Sequence, residues 1–226
     1  HDVFLIDTLL KKSNPDLYSW GQGIQDDAVF LYARLDDAKA DPELKKKAVA
    51  GMVKMAEKSL DYAADNAFGI TNVERGRPMF AAFFTAPGGI ELARAHYLTG
   101  NEKYLAGAIQ SSQFPGGCNP SNIVYTSGLG ANPVKHPLNL DSRSSGQPAP
   151  VGLTVWGNID YWNWHGFWDW PIPFINKPQS LWPDAYDWPL NEAFFDMSLF
   201  ISMNEFVVES WKPNVWVWGY LAAQKR

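Results

Sequence analysis

The sequence predicts an all-α domain overlaid by a long, aromatic-rich irregular layer. Three observations carry that expectation. A cap-and-stripe pattern starts at Asp41, a glycine closes a helical hairpin at Gly100, and from about Pro115 to Leu190 Gly, Pro, Asn and Ser become frequent while helical periodicity disappears.

Asp26-Asp27 precede Ala28-Val29-Phe30-Leu31-Tyr32-Ala33, which reads as a largely buried helix running to about Asp37. The clearest start signal follows at Asp41-Pro42-Glu43-Leu44. Asp is a good N-cap, Pro suits the first helical position, and Glu complements the positive end of the dipole. That helix should extend to about Asn66, with Leu44, Ala48, Met52, Met55 and Ala63 forming one buried stripe and most lysines lying elsewhere. Ile90 to Leu98 reads as another helix, stopped by Gly100. Asn101-Glu102 then opens the next at Lys103, so the two should lie antiparallel.

Ten of the eleven tryptophans lie between Trp156 and Trp218, with the densest run at Tyr161 to Trp170. Flat rings beside Asp, Asn and His suit sugar rings, whose axial C–H faces are apolar and whose hydroxyls point outward. More than half of these rings are expected to pack the layer onto the helices instead. A last helix is expected from about Asn191 to just before Pro213. At 100° per residue, Ser198, Ser202, Glu205 and Glu209 form its solvent stripe, while Glu192 and Asp196 point to the packed side.

Composition narrows the function classes. With 46% hydrophobic residues against 19% charged, the 226 residues can bury a core, and residues 1–226 read as a single domain. The net charge of −5 offers no broad positive field, so nucleic acid is not an expected partner. No segment reaches the ~18 apolar residues of a membrane span, so no membrane partner is expected either. A lone Cys118 allows no internal disulfide and reads as a small buried or half-buried thiol. No cluster has zinc spacing, no Gly-rich phosphate loop precedes a helix, and no Gly-x-Ser-x-Gly elbow occurs. Neither a metal nor a cofactor is therefore expected. A chain opening on His1 rather than Met reads as a processed or partial product.

Glu192 stands out among the titratable residues. A carboxyl partly desolvated among aromatics holds its proton to higher pH, as a general acid must, whereas a first-turn Glu behind an Asn191 cap serves only the helix dipole. Both readings stand at this point. His136 lies in a loop where it can reach a ligand hydroxyl, and His96 on a helix reads as structural.

Several blocks resemble one family. Tyr97-Leu98-Thr99-Gly100-Asn101-Glu102-Lys103-Tyr104-Leu105, Gly117-Cys118-Asn119-Pro120, Tyr125 to Pro133, and His136-Pro137 are similar to the C-terminal half of glycoside hydrolase family nine, the cellulases with an (α/α)6 barrel. Trp182-Pro183-Asp184, Trp188 and Asn191-Glu192 resemble its second block, and the likeness covers roughly residues 90 to 210. The resemblance implies the C-terminal portion of an (α/α)6 barrel whose N-terminal part is missing. It also implies inverting hydrolysis of a β-1,4-linked glucan, with Glu192 protonating the leaving oxygen and His136 in the substrate-binding block. Trp188 and Tyr186 are candidates for stacking or positioning, and Asp184 and Arg143 are candidate hydroxyl contacts. The family's Asp-Ala-Gly-Asp base motif does not occur here, so the base and the partner half are expected on the N-terminal part of the same polypeptide. The arginine that many members carry directly after the His-Pro pair is replaced by Leu138, which makes Arg143 its candidate substitute. A polymeric substrate implies a secreted or periplasmic protein. The competing expectations are a non-catalytic carbohydrate-binding protein on the same fold, or another (α/α) barrel glycosidase or polysaccharide lyase.

Overall fold

The computed structural model describes residues 22–71, 81–158, 182–183, 187–189, 192, 194–198 and 200–224. Within them lie helices α1 (Gln22–Ala33), α2 (Pro42–Ala64), α3 (Ala81–Thr99), α4 (Glu102–Gln113), α5 (Leu140–Ser145), α6 (Ile201–Asn204) and α7 (Val208–Ala222). The described residues contain no strand, only three isolated bridges in the loop layer.

Helix α2 forms where its cap signals place it. The Asp41 carboxylate accepts the Leu44 amide at 2.8 Å, and Leu44, Ala48, Met52, Met55 and Ala63 are all buried, joined by Ala56 and Ser59. The methionines are core, packed with Val29, Phe30 and Tyr32 of α1. Gly100 adopts φ +67° and returns its amide to His96 O at 2.7 Å. Asn101 then caps α4 through the Lys103 amide, which gives the expected hairpin.

Helix α3 is the hub, packing against α2, α4 and α7. It begins nine residues before the expected Ile90 and runs through Pro87-Gly88-Gly89, residues that local propensity places outside a helix. Close packing overrides that propensity. A Cβ on Gly89 would stand 2.8 Å from Ser111 Oγ of α4 and 3.2 Å from Val217 Cγ2 of α7, so only glycine lets the three helices approach. Arg94, almost fully buried on α3, pairs with Asp27 of α1 and lies over the rings of Phe30 and Trp216, joining α1, α3 and α7.

Two expectations need correction. The segment after Glu192 is not one helix ending before Pro213. Short turns follow each other (Phe194 N–H to Glu192 O, Met197 N–H to Phe195 O, Phe200 N–H to Met197 O), then come the single turn α6, an extended link and α7. Helix α7 continues past Pro213 because its contacts with α3 outweigh the missing amide. Val217 is buried, and Tyr220 O–H meets His96 Nδ1 at 2.6 Å, the structural role expected of His96. Cys118 is exposed rather than buried, since its amide is held by Gln113 O while the side chain faces outward.

The loop layer from residue 114 to 158 is built on buried polar side chains. Asn119 donates to Phe114 O at 2.7 Å and Ile123 O at 2.8 Å and accepts the Ile123 amide. Tyr125, fully buried, donates its hydroxyl to Asn158. Its ring packs with Phe114 and Phe194 in the core shared with Ile70, Val134, Val155, Trp156, Phe200 and Met203. Trp156 is thus one of the tryptophans spent on packing, whereas Trp182 is exposed. The dense run from Tyr161 to Trp170 lies outside the described residues.

Asn119→Ala removes three bonds to the backbone and leaves the half-buried Ile123 amide and carbonyl without their partner, which should cost about 2 kcal/mol, whereas Asp41→Ala removes one cap bond and should cost about 1 kcal/mol. Urea unfolding of the two variants checks that order.

Candidate functional site

The His-Pro loop leaves the layer after Val134, whose amide is held by Val124 O at 2.9 Å. The next two amides, Lys135 and His136, both donate to the Asp196 carboxylate, to Oδ2 and Oδ1 respectively and each at 2.8 Å. Pro137 is buried, and Leu138 N–H reaches Asn204 O at 2.8 Å. The backbone around His136 is therefore fixed on both sides while the residue itself stays exposed.

Glu192 sits in a turn rather than on a helix. Its amide donates to Pro189 O at 2.9 Å, and its carbonyl accepts the Phe194 amide at 2.9 Å and faces Ser121 Oγ at 3.5 Å. This corrects the expected desolvation among aromatics: Glu192 is exposed, because the turn that replaces the helix lifts it away from the core formed by Phe194, Phe200 and Met203. Trp188 is half-buried, meets Phe195 edge-on with centroids 5.4 Å apart, and donates its indole N–H to Pro183 O.

The structure thus brings the segment carrying Trp188, Glu192 and Asp196 against the loop carrying Ser121 and His136. Arg143, in the last turn of α5, is exposed, and no contact among the described residues joins it to Glu192 or His136. The α5 helix itself went unforeseen, although Asn139 as N-cap and Gly146 at φ +69° bracket it. Asp184 and Tyr186 lie outside the described residues, as does Asn191.

Glu205 was placed on a solvent stripe by helical periodicity, and the structure corrects this. It follows α6, is half-buried, and burial raises its carboxyl above the ordinary glutamate value. Its carbonyl and those of Met203 and Asn204 receive the Trp156, Gly157 and Leu138 amides, so residues 203–205 form the junction between the His-Pro loop and the segment leading into the tryptophan-rich stretch. A half-buried Glu at that junction carries no motif, and only a break in the helical pattern near Phe206-Val207 could have indicated it.

Among the described residues, no three His, Cys, Asp or Glu side chains stand together to hold a metal ion, and no helix is long and apolar enough to cross a membrane.

Solved structures sharing this architecture include endoglucanases. A metagenome-derived glycoside hydrolase family 9 endoglucanase superposes with a TM-score of 0.71 at 21% identity, covering 88% of this chain and 33% of that one. The family 9 endoglucanase J30 gives a TM-score of 0.76 at 18% identity over 99% of this chain and 39% of that one. A thermostable endoglucanase from Alicyclobacillus acidocaldarius gives 0.71 at 18% over 96% and 41%. The chain has the fold of these enzymes. It is all-α, a portion of an (α/α)6 barrel, and spans between a third and about two fifths of their length. Neither a protein-family model nor a curated protein matches the sequence.

Because Glu205 holds its proton more tightly in the folded chain than in the unfolded one, its favourable contribution is fully present below the ordinary value of 4.5 and is lost as pH rises through the higher folded value. Glu205→Gln should therefore raise the Tm relative to the parent at about pH 7 and leave it unraised near pH 4. Thermal unfolding at both pH values checks the sign.

Proposed function

We propose that this chain is the C-terminal part of an inverting glycoside hydrolase acting on β-1,4-linked glucan, with Glu192 as proton donor. Glu192 gives its proton to the departing glycosidic oxygen as the bond to the anomeric carbon breaks. Water attacks that carbon from the opposite face and surrenders its proton to an Asp base located on the N-terminal part of the polypeptide. His136 contacts a sugar hydroxyl and the Trp188 ring stacks on a sugar face. Asp184, Tyr186 and Arg143 are proposed as further contacts.

One observation carries this reading. The fold likeness extends over 99% of the chain, and within it the segment bearing Glu192 and Asp196 meets Ser121 through Glu192 and the His136 amide through Asp196. The exposure of Glu192 fits a site that the remainder of the barrel completes, supplying the desolvation a general acid needs. A substrate that is a polymer accords with a secreted or periplasmic location.

The same exposure favours a second reading, a carbohydrate-binding protein that kept the site and lost hydrolysis. The test is Glu192→Gln in a polypeptide joining this chain to its N-terminal part. Turnover of cello-oligosaccharide should fall at least ~10²-fold with unchanged circular dichroism. Near-parental turnover removes Glu192 from the role, and binding without turnover in the parent favours the second reading. The 226 residues alone should release no reducing sugar from soluble cellulose derivatives. Robust cleavage by them would overturn the division of the two carboxylates between the parts.

A further inference from the structure

The hydrogen bonds around Asp196 close a ring. The Asp196 carboxylate takes the Lys135 and His136 amides, Leu138 N–H binds Asn204 O, and Asn204 Nδ2 donates to Phe195 O at 2.6 Å, one residue before Asp196. Phe195 N–H also rests on Met203 Sδ at 3.4 Å, so the ring is seated on the buried Met203 and Asn204 of α6. Glu192 lies four residues before Asp196, in a turn closed by Pro189 and Phe194. Two consecutive amides of the loop point at one carboxylate, and an ionic acceptor makes such bonds strong. Asp196 is half-buried, while the two amides it holds belong to the exposed Lys135 and His136.

From this ring we infer that Asp196 is a positioning residue that sets His136 against the Glu192 turn. The inference rests on the glycosidase reading for its functional consequence but not for its structural one. A carboxylate with no such role would satisfy the two amides and affect stability alone. A positioning carboxylate acts through His136 on substrate binding. With Asn at 196, one oxygen still accepts an amide while the NH2 group opposes the other. With Glu, both acceptors are kept on a longer arm.

The experiment uses the polypeptide joining this chain to its N-terminal part, with cellopentaose as the probe. Asp196→Asn should speed hydrogen exchange at the amides of residues 135 and 136. It should raise KM ~10-fold with kcat within ~2-fold, and adding His136→Ala should raise KM no further. Asp196→Glu should recover part of the KM. An unchanged KM in Asp196→Asn beside a raised KM in His136→Ala overturns the proposal, and so does full additivity of the two. If the parent neither binds nor cleaves cellopentaose, the glycosidase reading fails separately, and exchange decides alone: faster exchange at 135 and 136 supports the positioning role and unchanged exchange overturns it.

Discussion

Peptide groups buried between residues 114 and 158 must find hydrogen-bond partners without a strand ladder to supply them. That constraint shapes most of what surrounds the candidate site. The chain meets it with amide and carboxylate side chains that imitate backbone. Asn119 bridges Phe114 and Ile123, Asn204 bridges Phe195 and Phe200, and Asn66 turns the chain out of α2 by bonding Tyr62, Phe68 and Ile70. Each such residue sits where a helix yields to irregular backbone. The aromatic core of Phe114, Tyr125, Phe194 and Phe200 then packs over a framework tied by these side-chain-to-backbone bonds.

The helical half of the molecule was legible because its determinants are local. Asp41, Pro42, Gly100 and Asn101 act on residues within four positions, and the α2 stripe depends only on the helical repeat. The early start of α3 and the passage of α7 through Pro213 were not legible, because distant partners decide them. Gly89 matters through Ser111 and Val217, and α7 is held by residues of α3 more than a hundred positions away. Local propensity argued correctly for isolated segments and lost to packing.

The site was legible in part. His136 and Glu192 were singled out from residue type and family likeness, and the structure places their segments in contact. Their mounting was misread, because a 100° wheel was applied to a segment that forms successive turns. On that wheel Asp196 and Glu192 share a packed side. In the molecule Asp196 is held by two amides and Glu192 is exposed, a division that periodicity cannot express. Glu205 was missed for the same reason.

The route of the chain between α4 and α7 has an evolutionary consequence. The two helices meet through the hub α3, while more than ninety residues leave and return between them, carrying His136, Trp188 and Glu192. Closing a longer loop costs only logarithmically more, about 0.6 kcal/mol per doubling. Insertions at the exposed parts of that excursion, such as residues 128–132 and 143–148, can therefore accumulate with little penalty to the helical scaffold, whereas its buried residues, Tyr125 and Trp156 among them, hold the layer in place.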